Sequence, residues 1–145
     1  MHADPPTIKG SEKITSVFGY WPSFHDAEIL EVSLHRKFVG TGSPALTARV
    51  HVFEMTSEVS NGGYFVCRYH SIVTLRFYAI ADLVLENFNH QNALSGLDIE
   101  EIASGGFRVS FDEAFGMDSS FNCQAIELVD LEPGIPLGSV HVPKA

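Results

Sequence analysis

The residues best suited to chemistry in this 145-residue sequence are its histidines and the carboxylates beside them. His25 and Asp26 are neighbours, and a carboxylate next to an imidazole can orient the ring for acid–base work or bind a metal with it. Adjacent strand residues point to opposite faces, so this pair converges on one ligand only where the backbone bends. Catalysis, a binding surface and a local structural hydrogen bond all remain open for the pair, and the structural role is the commonest.

Other histidines suggest two further sites. His35 and His51 lie on the polar faces of two strands that are predicted to pair, where cross-strand histidines with a carboxylate could hold zinc. His70 shares its strand parity with Arg68 and Arg76, and such a group could bind an anion. For both sets, exposed side chains on a solvent-facing surface are the commoner explanation.

Known catalytic and cofactor motifs are missing from the sequence. The pairs Gly62-Gly63 and Gly105-Gly106 lack the following helix and the Lys-Ser/Thr of a phosphate-binding loop. No His-Glu-x-x-His, Cys-x-x-Cys or Gly-x-Ser-x-Gly pattern occurs, so the sequence offers neither a metal signature nor a nucleophile elbow. We therefore predict no catalytic residue, no bound metal and no cofactor.

Charge is distributed unevenly along the chain. Residues 1–81 carry seven acids and seven bases, whereas residues 82–132 carry eleven acids and one base, Arg108. A solubilising surface is the simpler explanation, and a surface that steers a basic partner is the sharper one. Because phosphates would be repelled by these acids, we predict no nucleic-acid partner.

Aromatic and sulfur-containing side chains lie among these acids, as they do at protein interfaces. They are Phe88, Phe115, Met117 and Phe121, and Phe121 is better explained as part of the core. The candidate partner-binding residues are Asp98, Glu100, Glu101, Asp112, Glu113, Asp118 and Phe115.

The elements that position these residues mostly show the period-two alternation of strands. Residues 11–18 are predicted to form a short helix that ends at Gly19. Strands are predicted at 27–36 and 46–53 as an antiparallel hairpin, then at 64–78 with a bend near His70, at 83–86, at 107–112 and at 120–131. Residues 97–102 are predicted to be a strand or irregular. The pattern predicts a β-dominant α+β fold, in which one curved or barrel-like, mainly antiparallel sheet accompanies the N-terminal helix.

Length and composition, with 45% hydrophobic and 19% charged residues, indicate a single domain over residues 1–145. Residues 1–10 are predicted to be an extended arm and residues 133–145 a Pro-rich peripheral tail. No apolar run approaches the roughly 20 residues that cross a bilayer, and no leader pattern opens the chain, so we expect a cytoplasmic protein without membrane contact. In that compartment Cys67 and Cys123 are expected to remain thiols. The sequence does not indicate an oligomeric state.

Two stretches resemble the immunity protein 50 family. The first is Gly-Tyr-Trp-Pro-Ser-Phe-His-Asp-Ala-Glu-Ile at 19–29, between the short helix and an alternating strand. The second comprises 74–77 and then 83–92, which ends in Phe-Asn-His-Gln-Asn. The residues carried over from the family motif are Trp21, Phe24, His25, Asp26, Asn89, His90 and Gln91, of which Trp21 and Phe24 are expected to serve the fold.

The resemblance implies a bacterial immunity protein that binds and neutralises a cognate toxin. It agrees with the charge distribution, because an acidic inhibitor would associate rapidly with a basic toxin domain. The alternative function is a small-molecule- or metal-binding module, including a weak enzyme, built on His25, Asp26 and His90. Missing metal and nucleophile signatures favour the immunity protein.

Overall fold

The computed structural model describes residues 8–139 and residue 141, and strands make up most of it. The predicted β-dominant α+β fold is confirmed, with one short helix at the N-terminal side of the sheet. The elements are α1 (Glu12–Phe18), β1 (Glu28–His35), β2 (Ala45–Val59), β3 (Phe65–Tyr78), β4 (Ala81–Glu86), β5 (Ala93–Glu101), β6 (Phe107–Phe115), β7 (Asp118–Cys123) and β8 (Ala125–Pro133).

The eight strands form one antiparallel sheet in the order β4-β7-β6-β5-β1-β2-β3-β8. β1 and β5 are paired only through Glu28 and Ala93, so a narrow junction joins two four-stranded halves. One half is β4-β7-β6-β5, which we call the β4–β5 half, and the other is β1-β2-β3-β8. The order has two ends, β4 and β8, and the sheet therefore does not close into a barrel.

The hydrophobic core lies between the inner faces of the two halves. The Phe77 ring on β3 lies 5.0 Å from the Phe121 ring and 5.8 Å from the Phe111 ring on the opposite half. Ile14 and Phe18 add one face of α1 to this core. Phe121 is fully buried, which confirms its predicted core position.

Glycine ends the helix as predicted. Gly19 adopts a left-handed conformation with φ of 84°, and its N–H donates to the carbonyl of Thr15 at 2.8 Å. Before the helix, Lys9 forms a parallel bridge with Glu127 along β8. Within the described residues, no helix combines the length and apolarity needed to cross a membrane. Both thiols, Cys67 and Cys123, are free.

The single strand predicted over residues 120–131 is wrong. Gln124 separates β7 from β8, and its N–H donates to the carbonyl of Tyr78 at 2.9 Å. At this residue the chain crosses from the β4–β5 half to the opposite edge, where β8 pairs with β3. The buried positions are odd-numbered up to Cys123 and even-numbered from Ile126, so the alternation changes phase at the crossing.

β2 and β3 extend beyond their neighbours. β1 pairs with β2 only from Ala45 to His51, and β8 pairs with β3 only from Ser71 to Tyr78. The remaining parts of β2 and β3 form a two-stranded ribbon with no other strand beside it among the described residues. Tyr69, with φ of 61°, lies at the register shift in this ribbon, close to the bend predicted near His70.

Candidate functional site

The two stretches that carry the family motif meet where the halves of the sheet join. The N–H of Asp26 donates to the carbonyl of Leu94, and the N–H of Leu94 donates to the carbonyl of Ala27. One step further along β1, the N–H of Ile29 donates to the carbonyl of Asn92 at 2.8 Å. Segments about 65 residues apart in sequence thus form one continuous structural unit.

The first stretch divides into a buried and an exposed part. Trp21 and Phe24 are buried, with ring centroids 5.5 Å apart, in keeping with their expected role in the fold. His25 and Asp26 follow in a tight turn in which Phe24 and Asp26 both have positive φ, 63° and 64°. This turn provides the bend that lets the His25 Nδ1 approach the Asp26 Oδ2 at 3.2 Å, with both side chains exposed to solvent.

The second stretch is a loop held by a buried side chain, Asn92. Its Oδ1 accepts hydrogen bonds from the N–H groups of Asn89 and Met117, and its Nδ2 donates to the carbonyl of Asn89 at 2.6 Å. Gly116 has φ of 81° and passes so close that a Cβ there would lie 2.5 Å from the carbonyl oxygen of Gln91. Asn92 therefore fixes this loop against the turn between β6 and β7.

The exposed residues of this loop line a pocket of about 290 Å³. Asn89, His90 and Gln91 form one side, and the C-terminal segment from Leu137 to Ser139 forms another. Glu28 of β1 also lines the pocket. No hydrogen bond or ion pair joins His90 to His25 or Asp26 within the described part of the chain, so the three residues of the alternative function do not form one constellation there.

Beside this pocket lies a histidine cluster that sequence reasoning missed. The fully buried ring of His51 has its Nδ1 2.6 Å from the Glu28 Oε1 and its Nε2 2.9 Å from the His70 Nδ1. The His141 ring lies at an angle to its neighbours, with its centroid 4.3 Å from that of the Phe53 ring and 5.6 Å from that of the His51 ring. Because an ionised carboxylate only accepts hydrogen bonds, the His51 Nδ1 carries the hydrogen that faces Glu28.

The C-terminal segment buries this cluster. His51 and Phe53 lie on the outer face of β2, opposite the core-facing Val50 and Val52, and alternation alone would leave both in solvent. Ser139 donates its hydroxyl to the Glu28 Oε1 at 2.5 Å, and His141 covers the two rings. Although residues 133–145 were predicted to be peripheral, these two tail residues contact the sheet directly.

Burial favours the neutral imidazole in two members of the cluster, His70 and His141. Desolvation, followed by the charges of the other histidines, lowers the pKa of His70. Desolvation also lowers the pKa of His141, against the opposing charge of Glu28. For Glu28, burial raises the pKa, but hydrogen bonds from His51 and Ser139 together outweigh it, so that the pKa is lowered and the carboxyl stays ionised at neutral pH.

The predicted pairing of His35 with His51 is wrong. In the β1–β2 hairpin His35 lies opposite Ala45, whereas His51 lies opposite Glu28. The loop between the strands, closed by the Phe38 N–H and the Ser43 carbonyl, sets this register. Among the residues that the structure describes, no group of three or more histidine, cysteine or acidic residues is arranged to hold a metal ion.

The possible anion site of Arg68, His70 and Arg76, which was the less common explanation for these residues, does not form. Arg68 pairs with Glu54 at 2.7 Å, and Arg76 donates to the Thr47 hydroxyl with its guanidinium over the Phe38 ring. His70 belongs to the histidine cluster instead. The bulge at Tyr69 breaks the strand parity on which the prediction relied.

Three of the six predicted partner-binding acids lie on the outer face of β5 and β6. Asp98 and Glu100 of β5 and Asp112 of β6 alternate with buried residues of the core, so they point away from it. Hydrogen bonding to Asp112, with desolvation and like charge, raises the pKa of Asp98, which shows that these two carboxyls lie side by side. Arg108, opposite Glu100, is the one base on β5, β6 and β7.

The other predicted residues surround this face. Glu101 and Glu113 are exposed on β5 and β6, and Asp118 begins β7 opposite Glu86. Phe115 is 64% exposed at the end of β6, whereas Met117 is buried and is therefore not part of a surface. We call the exposed Glu86, Asp98 and Glu100, together with the half-buried Asp112 and Asp118, the acidic face.

The structure thus defines a single open antiparallel sheet with an acidic outer face and, near it, a polar pocket at the junction of its halves. The family model for Immunity protein 50 matches residues 10–134, which include both motif stretches and β1 to β8. The tail residues Ser139 and His141 lie outside the match. The chain belongs to the Immunity protein 50 family. No curated protein and no solved structure matches it.

Proposed function

We propose that this immunity protein binds a cognate, basic toxin domain through the acidic face and neutralises it by occluding the toxin's functional surface. The family membership supports an immunity function, and the arrangement of the acids supports the surface. Acids on the four adjacent strands β4, β7, β6 and β5, with Arg108 as the nearby base, give this side of the sheet a net negative charge. Such a surface accelerates association with a positively charged partner.

The proposal makes the protein an inhibitor rather than an enzyme. Occlusion needs no reacting group on this chain, only a surface whose shape and charge complement the toxin. The exposed ring of Phe115 lies at the end of β6 beside the acidic face and offers the apolar contact that interface centres use. We place the protein in the cytoplasm, where its two thiols would stay reduced.

The test is to measure binding of the toxin encoded at the same locus to variants with reversed charges. Glu86, Asp98 and Glu100 are exposed and are replaced together by lysine. We expect the association rate at low salt to fall by at least 10-fold, with a smaller change in the dissociation rate. Loss of toxin neutralisation in a growth assay should accompany the lower rate.

A matched control carries the same change in net charge away from the acidic face. Glu12 on α1, Glu31 on β1 and Glu58 on the β2–β3 ribbon are also exposed, and their replacement by lysine should alter the association rate much less. Equal effects of the two triple variants would show that net charge alone matters. An unchanged rate for the variant of the acidic face would rule out this surface.

A further inference from the structure

The pocket next to the acidic face contains a carboxylate with one oxygen unused. Glu28 accepts both of its hydrogen bonds, from the His51 ring and the Ser139 hydroxyl, at Oε1. Within residues 8–139 and 141, its Oε2 accepts none. Only 16% of this side chain is exposed, and Glu28 lines the pocket. A side chain that lines the pocket therefore has one carboxylate oxygen without a donor among the described residues.

No lysine or arginine is paired with this carboxylate within the described residues. His51 and Ser139 hold it ionised by hydrogen bonding, while burial favours the neutral forms of His70 and His141. The described chain places no lysine or arginine among the pocket residues. A buried negative charge without a cation is costly, and a cationic donor would relieve that cost.

The pocket walls suit a long side chain with a charged end. Phe88, which is 48% exposed, and Leu137, which is 98% exposed, both line the pocket and provide apolar contact for a methylene stem. The amide side chains of Asn89 and Gln91 lie on the same lining and add polar groups. The pocket therefore combines apolar and polar contacts with a carboxylate.

The acidic face lies close to this pocket along the chain. Glu86, which pairs with Asp118, immediately precedes the loop, and Asn92 fixes that loop to Met117. A basic partner attracted by the acidic face would therefore bring its lysines and arginines to the pocket.

We propose that the Glu28 pocket receives a lysine or arginine side chain of the toxin as a specific anchor within the interface. This inference rests on the proposed function for the identity of the partner. A single charged side chain inserted into a largely desolvated pocket is typical of the residues that dominate binding energy. The acidic face would set the rate of encounter, and the pocket would set the lifetime of the complex.

The pocket is tested first without the toxin. N-acetyl-arginine N-methylamide is titrated into the protein and followed by NMR at the backbone amides of residues 88–92 and at the His51 ring. The citrulline analogue, which has nearly the same shape but no charge, is the matched control. We expect saturable shifts at these positions with a dissociation constant on the order of 1 mM for the arginine probe, and none for citrulline.

Two variants test whether probe binding depends on the charge of Glu28 and not on a general change in the fold. Glu28→Gln retains an oxygen that can accept from His51 and Ser139 but removes the charge, and it should abolish the shifts. Phe88→Lys changes a half-exposed rim residue, leaves the hydrogen bonds of Glu28 intact and places a competing cation beside the pocket, so it should weaken probe binding at least 5-fold. Equal binding of both probes, or binding that survives Glu28→Gln, would overturn the proposal.

Binding of the toxin then tests whether the pocket is an anchor for this partner. Glu28→Gln should raise the dissociation rate of the complex about 10-fold or more with little change in the association rate, the opposite pattern to the variant of the acidic face. An unchanged dissociation rate would overturn the anchor while leaving the immunity function intact. If the wild-type protein fails to neutralise the toxin, the proposed function fails, and the probe titration still reports on the pocket.

Discussion

At the scale of single residues, the histidine cluster makes stability depend on pH. Burial lowers the pKa values of His70 and His141 below the ordinary value, so the unfolded chain binds protons in a range where the folded protein does not. Their stabilising contribution is therefore complete above the ordinary histidine pKa of 6.5 and is lost as the pH falls below it. We expect the urea midpoint of unfolding to decrease between pH 7.5 and pH 5.

A variant identifies the source of this pH dependence. His70→Gln removes one of the two shifted groups and should reduce the pH-dependent loss of stability by roughly half. His35→Gln changes an exposed histidine that lies outside the cluster and is the control. The same pH dependence in His70→Gln as in the wild type would contradict this assignment.

The sequence predicts some individual residues well and others not at all. Trp21 and Phe24 were expected in the core because aromatic residues at a helix–strand corner bury well, and both are buried. His51 was expected in solvent because strand alternation places it on the outer face. Its burial depends on a segment about 90 residues later, and period-two patterns contain no information about such a long-range contact.

At the scale of elements, the β2–β3 ribbon should be the least protected part of the long strands. Residues 45–51 and 71–78 have strands on both sides, whereas residues 54–59 and 65–68 are paired only with each other. An isolated two-stranded hairpin is only marginally stable in water. We expect native-state amide exchange in the ribbon to be at least 10-fold faster than in the paired amides of residues 45–51 and 71–78.

The contacts of Glu54 with Tyr20 and Arg68 allow a second test of the ribbon. The Tyr20 hydroxyl and the Arg68 guanidinium both donate to Glu54, and they connect the base of the ribbon to the chain after α1. Glu54→Gln should therefore speed exchange in the ribbon without changing exchange in β6 or β7. Uniform protection along β2 and β3 in the wild type would contradict a weakly supported ribbon.

Element types were more predictable than the connections between them. The predicted strands overlap each of β1 to β6 but merge β7 with β8, and Gly19 marked the end of the helix. The crossing at Gln124 was missed because one residue suffices to turn the chain, although the buried positions change phase there. The strand order, which brings β1 beside β5, follows from packing between the two halves and has no local signal in the sequence.

At the scale of the whole molecule, the acidic face should carry an electrostatic cost when no partner is bound. Asp98 and Asp112 are adjacent, and Asp118 lies opposite Glu86, so like charges face one another across neighbouring strands. Like charges directly opposite on a sheet are destabilising by about 0.2–1 kcal/mol per pair. Salt screens such exposed charges, with a Debye length of about 10 Å at 0.1 M.

We therefore expect the free energy of unfolding to rise when salt is raised from roughly 0.02 M to 0.3 M, and to rise less in Asp98→Asn than in the wild type. At low salt Asp98→Asn should be more stable than the wild type by about 0.5 kcal/mol, since it removes a repulsion and keeps a side chain that can hydrogen-bond to Asp112. Glu31→Gln is the control, because Glu31 pairs with Arg49 and its loss should not stabilise the fold.

A surface that lowers stability when unoccupied is expected of a binding site, whereas a merely solubilising surface need not place its acids side by side. Urea unfolding of the three proteins at both salt concentrations decides between them: destabilisation by Asp98→Asn would mean that these carboxylates support the fold, and the case for a binding face would weaken accordingly.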